Sequence, residues 1–324
     1  MLQRKEENVL KLQYTETLGR AGTTRLQRFK KNLPLTAMAL PGIIMIFVFS
    51  YIPLYGLILP FKDFKLDLGF FGSEWVGFEN FKFLFTGSDM LVATRNTLLY
   101  NLFFVFVKPF FSVILALLLF EVSKRSVKIY QTLLLLPFFV SWVVLSYALR
   151  GFLDMDYGMF NAIIKSFGGE PIMWYTATRY WPVILIVSAI WKGMGYSAVL
   201  YYSALMGVDK ELFEAAELDG AGKLRQMWYI SLPMLKSIIV MMMILDIGKI
   251  FYGDFGLFYN LPLNSSLLYP VTDVVDTYVF RTMMVMGDVG MSAAACFLQS
   301  TVGFVLVLGT NLLVRKIDSD NALF

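Results

Sequence analysis

The sequence predicts an all-α integral membrane protein with six transmembrane helices and with both ends in the cytoplasm. Hydrophobic residues make up 57% of the 324-residue chain and charged residues only 16%, whereas soluble domains carry about 25% charged residues. The apolar residues lie in long blocks, each near the roughly 20 residues with which a helix crosses a bilayer. The third observation is the unequal distribution of Lys and Arg among the segments that connect these blocks.

The apolar blocks define the predicted domain organisation. Residues 1–32 are polar and basic, without the apolar core of a cleavable signal peptide, and are predicted to be a cytoplasmic tail. A transmembrane domain follows at 33–314, and a second cytoplasmic tail at 315–324. The predicted spans are about 33–61, 97–120, 129–149, 181–205, 237–259 and 289–314.

The basic residues predict the orientation in the membrane. With both ends inside, the inner segments carry 17 Lys and Arg and the outer segments carry 7. Cytoplasmic loops are enriched in these residues. The segment 206–233, between the fourth and fifth predicted spans, is therefore expected in the cytoplasm.

Several classes of function find no support in the residues. The chain has no His and a single Cys, Cys296, so His-based acid–base chemistry and a disulfide framework are excluded. Its Gly-Lys pairs, Gly222-Lys223 and Gly248-Lys249, are not followed by Ser or Thr, so the chain has no P-loop for ATP. We predict no catalytic residue, no metal site, no cofactor bound by this chain and no nucleic-acid partner.

The segment 209–220, "DKELFEAAELDG", predicts a short helix. Asp209 suits its N-cap, and Gly220 suits its end because Gly adopts positive φ at little cost. A second helical piece is expected over about 222–231, and Pro233 fits the first turn of the next helix. The result is a helix–turn–helix elbow at the membrane surface; the alternative is an amphipathic helix that rests in the lipid interface.

The spacing within "EAAELDGAGKLRQMWYISLP", residues 214–233, resembles the EAA loop of bacterial ABC-importer permeases. This resemblance implies the type I importer permease fold, with 206–233 as the loop that couples the permease to a separate ATPase. The residues assigned to coupling by the resemblance are Glu214, Ala215, Ala216, Asp219, Gly220, Gly222, Ile230, Leu232 and Pro233.

Other segments extend the resemblance over most of the chain. "WVGFENFKFLF" at 75–85 and "LLLLPFFVSWVVLSYAL" at 133–149 are similar to carbohydrate-importer permeases. "FYNLPLNSSLLYPVTDVVDTYVFR" and "SAAACFLQSTVGFVLVLGTNLLVRK" resemble permeases for polysaccharide-derived oligosaccharides, the alginate importers among them. The outer loop at 60–96 is short and lacks the folded insertion of the maltose permease.

The resemblance also implies a set of partners and a location. These are a second permease subunit that is related but not identical, a dimer of ATPase subunits that uses ATP and Mg, a periplasmic solute-binding protein, a carbohydrate substrate and membrane lipid. The chain is expected in the bacterial inner membrane, where it would import substrate by alternating access.

Ionisable residues fall within the predicted spans, where they are costly and usually face a bundle interior or water. Asp246 and Lys249, at i and i+3, either pair on one helix face or contribute to a sugar pathway in which lysines bind uronate carboxylates. Polar residues such as Asn311 can instead bond between helices. The predicted pathway residues are Trp191, Lys192, Tyr196, Asp246, Lys249, Tyr252, Tyr278 and Gln299; Lys108 and Asp254 are also charged.

An ion-coupled secondary transporter is the alternative function, with Asp246, Lys249 and Asp254 as its relay. It requires an ion gradient and no ATPase. A membrane enzyme or an assembly scaffold has no nucleophile or metal cluster to support it. The EAA spacing favours the importer over both, because neither alternative needs a cytoplasmic docking elbow.

Overall fold

The computed structural model describes residues 25–123 and 125–323, which form mainly α-helices. Most of the predicted tail 1–32 therefore lies outside the described residues. The first helices are α1 (Arg25–Ile46), α2 (Gly69–Gly72), α3 (Phe83–Thr86), α4 (Ser88–Glu121), α5 (Val127–Phe139), α6 (Trp142–Phe152) and α7 (Met159–Ser166). They are followed by α8 (Trp181–Leu205), α9 (Lys210–Leu218), α10 (Lys223–Gln226), α11 (Leu232–Gly248), α12 (Tyr269–Thr272), α13 (Val275–Met286) and α14 (Val289–Ile317).

The chain divides into two units, with the boundary after Ile58. In the first unit, α1 continues through a π-helical turn at Phe47–Tyr51, and a 3₁₀ stretch then begins at Ile52. Pro53 lacks the N–H that would continue the α-helical ladder, which accounts for the change of helix type. The predicted first span is thus helical but not uniformly α-helical.

The number of apolar helices agrees with the six predicted spans. In the described part of the chain five helices are long and apolar enough to cross a membrane, and a bent pair would make a sixth. The fourth span agrees in its bounds, because α8 covers the predicted 181–205. In contrast, α4 begins at Ser88, well before the predicted start of its span.

The third span is not the continuous helix predicted over 129–149. It breaks between α5 and α6, whose axes differ by 91°. Pro137 lies in the last turn of α5, and the chain is extended at Val140. Ser141 then begins α6 by accepting a hydrogen bond from the Val144 N–H at 3.2 Å. A proline near a helix end followed by a serine N-cap explains the break.

The fifth span ends earlier than the predicted 237–259, because α11 ends at Gly248 and the candidate span is Lys223–Gly248. At this point α11 and α14 approach closely. A Cβ on Gly248 would lie 2.3 Å from Val307 Cγ2, and a Cβ on Gly303 would lie 2.4 Å from the Gly248 carbonyl oxygen. The backbone leaves the helix after this contact and re-enters helical geometry only in a π-helical turn at Gly256–Asn260.

A small departure from the all-α prediction lies in the outer loop 60–96. Strand β1 (Lys62–Asp63) pairs antiparallel with β2 (Glu74–Trp75). Two-residue strands are too short for an alternating pattern to reveal. The core of the second unit lies mainly around the buried side chains of Trp181, Leu185 and Leu261.

Candidate functional site

The predicted cytoplasmic elbow begins at Asp209. Its Oδ1 accepts a hydrogen bond from the Glu211 N–H at 3.1 Å and caps α9. A carboxylate at this position also opposes the positive end of the helix dipole. The predicted N-cap and helix are both confirmed.

The end of α9 depends on Gly220. The Gly220 N–H donates to the Glu217 carbonyl at 3.1 Å, and the Ala221 N–H donates to the Ala216 carbonyl at 2.9 Å. This is the Schellman pattern, which requires a left-handed residue at the turn. Gly220 supplies it, with φ of +78°.

The second half of the elbow is helical from Lys223 to Gln226 and continues as a π-helical turn, Met227–Ser231, into α11. Pro233 lies in the first turn of α11, as predicted. The buried Gln226 side chain donates from Nε2 to the Ala221 carbonyl at 3.0 Å. This bond ties the second piece to the turn and fixes the angle of the elbow.

The elbow is anchored on one side and open on the other. The Phe213 ring contacts the Phe120 ring at the end of α4, with centroids 5.3 Å apart. Leu218 is 91% exposed. Of the residues assigned to coupling, Glu214, Ala215, Asp219, Gly220, Gly222 and Pro233 are exposed, while Ala216, Ile230 and Leu232 are half-buried.

A central cavity of about 550 Å³ lies among α4, α5, α8, α11 and the unwound segment 249–254. Four of the predicted pathway residues line it: Tyr196, Asp246, Lys249 and Tyr252. The other polar or aromatic lining residues are Asn101, Phe104, Lys108, Phe138, Ser197, Tyr201 and Asp254.

Charges of both signs line this cavity. Lys108 Nζ lies 4.4 Å from the centroid of the Phe104 ring, and it is attracted by Asp246 and Asp254. Asp246 is in turn attracted by both Lys108 and Lys249. Among the described residues no salt bridge joins Asp246 to Lys249. Asp246 is therefore attracted by two lysines without a direct ion pair to either among the described residues.

Side chains from other helices satisfy the unwound backbone beside the cavity. Asn101 Nδ2 donates to the carbonyls of Ile250 and Tyr252, both at 2.8 Å. Gln299 Nε2 donates to the carbonyl of Phe251 at 2.6 Å. Irregular backbone at membrane depth is tolerated where it is buried in protein or lines a cavity. Gln299, predicted to line the substrate pathway, therefore supports the cavity wall and is not among the lining residues.

The remaining predicted pathway residues lie outside the cavity. Lys192 Nζ donates to the Phe138 carbonyl at 2.6 Å, next to the cavity. Trp191 is 41% exposed and is not a lining residue. Tyr278 lines a separate pocket with Asp273 and Arg281. Asn101 was not among the predicted pathway residues, although an amide within an apolar span was a detectable signal.

Residues 108–319 match the family described as binding-protein-dependent transport system inner membrane component. Protein LplB of Bacillus subtilis (strain 168) is 36% identical over 303 residues, which cover 92% of this chain and 94% of LplB. The polygalacturonan/rhamnogalacturonan transport system permease protein YteP of the same strain is 39% identical over 282 residues, with 86% and 87% of the two chains covered.

Two solved structures are also similar. One is a bacterial alginate ABC transporter in complex with an alginate pentasaccharide-bound periplasmic protein, with 28% identity, a TM-score of 0.81, and coverage of 90% of this chain and 98% of that one. The other is a bacterial ABC transporter involved in the import of the acidic polysaccharide alginate, with 30% identity, a TM-score of 0.80, and coverage of 91% and 100%. The chain therefore belongs to the binding-protein-dependent transport system inner membrane components, as a permease of ABC sugar importers.

Proposed function

We propose that this chain forms one half of the transmembrane pathway of an ATP-driven importer for acidic oligosaccharides, of which alginate fragments are the leading candidate. The observation that carries the proposal is the central cavity, which combines lysines, carboxylates and aromatic rings next to an unwound helix. The two similar structures are named for alginate, and YteP is named for polygalacturonan and rhamnogalacturonan.

The residues of the cavity suit a charged sugar. Lys108 and Lys249 offer ammonium donors for uronate carboxylates. Asp246 and Asp254 offer acceptors for sugar hydroxyls, and the Phe104 and Phe138 rings offer apolar faces; all of these residues line the cavity. Because the cationic and anionic groups balance, a polyanion would bind without being held too strongly to leave.

The exposed elbow supports coupling to a separate ATPase. Glu214 and Ala215 are exposed on α9, so a cleft on a partner can close around the helix. Moving a two-state transporter from 1:99 to 99:1 requires about 5.5 kcal/mol of differential binding. The hydrogen-bonded turn at Gly220 and the helical segment after it connect α9 to α11 without a flexible loop, so a displacement of α9 would also displace α11. A solute-binding protein would deliver substrate from the outer side, with both ends of this chain in the cytoplasm.

The test is uptake by proteoliposomes that contain this chain, its partner permease, the ATPase and an oligosaccharide-loaded binding protein. We expect uptake of alginate trisaccharide or trigalacturonate that requires ATP and persists when ionophores collapse ion gradients. Replacing Glu214 with Lys should reduce uptake and substrate-stimulated ATPase activity together. Uptake that requires an ion gradient and continues without the ATPase would support the secondary-transporter alternative and refute the proposal.

A further inference from the structure

A second cavity, separate from the central one, lies beside the loops that follow α6 and α7. It measures about 400 Å³, and the orientation predicted from the basic residues places it on the outer side of the membrane. Its polar and aromatic lining residues are Arg150, Asp154, Trp174, Tyr175, Thr176 and Ser265.

Two polar groups at this cavity have no hydrogen-bond partner among the described residues. Arg150, near the end of α6, makes no hydrogen bond or ion pair with the residues that the structure describes. The Tyr175 hydroxyl is buried and also lacks a hydrogen-bond partner among them. Burial raises the pKa of Tyr175 to about 12, so the hydroxyl remains protonated at neutral pH. Arg150 is exposed and lines this cavity, and a guanidinium without a hydrogen bond or an ion pair favours an oxyanion ligand.

The wall of the cavity is held rigidly. Asn161 is fully buried, and its Oδ1 accepts hydrogen bonds from the Ile172 N–H at 2.9 Å and from Trp174 Nε1 at 3.1 Å. Leu263 also lines the cavity and has φ of 54°, a left-handed conformation that is unfavourable for a residue with a Cβ. Strained residues of this kind are concentrated at ligand-binding sites.

The remaining groups distinguish a sugar acid from a simple anion. The Asp154 carboxylate accepts two backbone hydrogen bonds through Oδ1, at 3.0 Å and 2.9 Å, and is not paired with Arg150. Its other oxygen is available to sugar hydroxyls. The Trp174 and Tyr175 rings line the same cavity and offer apolar surface to a sugar ring.

We infer that this outer cavity is a binding subsite for one carboxylated sugar unit, in which Arg150 binds the carboxylate and Asp154 accepts hydroxyl donors. The inference rests on the proposed function for its substrate class. It goes beyond that proposal by placing a recognition site for the arriving oligosaccharide outside the transmembrane cavity. A sugar acid released at the outer surface would be held here before it enters the pathway.

The inference is tested by protection of a single engineered thiol in the assembled transporter in nanodiscs. Thr176 is exposed and lines the cavity, so T176C is introduced with C296A and with cysteine-free partner subunits. We expect trigalacturonate to slow maleimide labelling of the thiol, and its methyl ester to have little effect. R150Q should raise the half-protecting concentration of trigalacturonate about tenfold, equivalent to about 1.4 kcal/mol.

The matched control is R179Q, because Arg179 is exposed in the same outer segment and does not line the cavity. It should leave protection unchanged. Three results would each overturn the inference: no protection of T176C when Arg150 is intact, equal protection by the methyl ester, or protection that is insensitive to R150Q.

Uptake is measured on the same complexes in proteoliposomes. Arg150-dependent protection without ATP-driven uptake would refute the proposed function and leave the subsite standing.

Discussion

Lys192 and Phe138 are joined across the break in the third span. Lys192 Nζ, on α8, donates a hydrogen bond to the Phe138 carbonyl at 2.6 Å, at the end of α5. The same ammonium lies 5.3 Å from the centroid of the Trp142 ring, and Trp142 Nε1 donates to Asp254 Oδ2 at 3.0 Å. Cations at helix C-termini satisfy free carbonyls and oppose the helix dipole. The bend is therefore held by a side chain from a neighbouring helix.

The first prediction concerns this bond. Lys192→Met keeps the length of the side chain but removes the donor, and it leaves the Phe138 carbonyl without its bond to Lys192. We expect the protein to lose about 1 to 3 kcal/mol of stability. Thermal unfolding of the assembled complex in detergent measures the change. Lys165→Met is the control, since Lys165 is exposed at the end of α7; equal loss in both variants would show that the bond does not stabilise the bend.

The second prediction concerns Gly220. Gly220→Ala places a Cβ on a residue with φ of +78°, which costs about 1 to 2 kcal/mol for an L-residue. Because a Cβ here meets no neighbouring atom within 4 Å, the cost arises from the backbone alone. Gly220→Asn should therefore cost less, since Asn tolerates the left-handed region.

The readouts for Gly220 are unfolding of the complex and the ratio of ATP hydrolysed to substrate imported. We expect that ratio to rise in Gly220→Ala, because a distorted turn transmits movement less well. Gly309→Ala is the control, since Gly309 lies within α14 and an added Cβ would meet no atom within 4 Å. Identical behaviour of Gly220→Ala and Gly309→Ala would contradict the assignment of the turn.

The third prediction concerns the charge of the central cavity. Lys108→Met removes an ammonium that lines the cavity over the Phe104 ring. We expect the KM for trigalacturonate to rise about tenfold, corresponding to about 1.4 kcal/mol, and the KM for its neutral methyl ester to change little. Uptake assays with both substrates measure the effect. An equal rise for both substrates would indicate a disturbed cavity without recognition of carboxylates.

The elbow and the unwound segment show what the sequence can and cannot predict. The elbow follows from local chemistry, because the Asp209 cap and the Gly220 turn act on residues only a few positions away. The unwound segment depends on Asn101, whose amide lies 149 residues before Ile250 in the chain. The apolar composition of the predicted fifth span indicates a continuous helix, and the hydrogen bonds that support the unwound segment are visible only in the folded structure. The outer cavity has the same origin, since Arg150 and Leu263 meet there only after folding.

The last prediction tests that long-range support. Asn101→Leu preserves volume in α4 but removes both hydrogen bonds to the carbonyls of Ile250 and Tyr252. Each carbonyl deprived of its partner costs about 1 to 3 kcal/mol, so we expect a large loss of stability in the assembled complex. The control is Phe106→Leu, since Phe106 is 57% exposed on the same helix. A rise in hydrogen exchange confined to 249–254 would show that Asn101 holds the unwound segment, whereas unchanged exchange there would show that the backbone needs no such support.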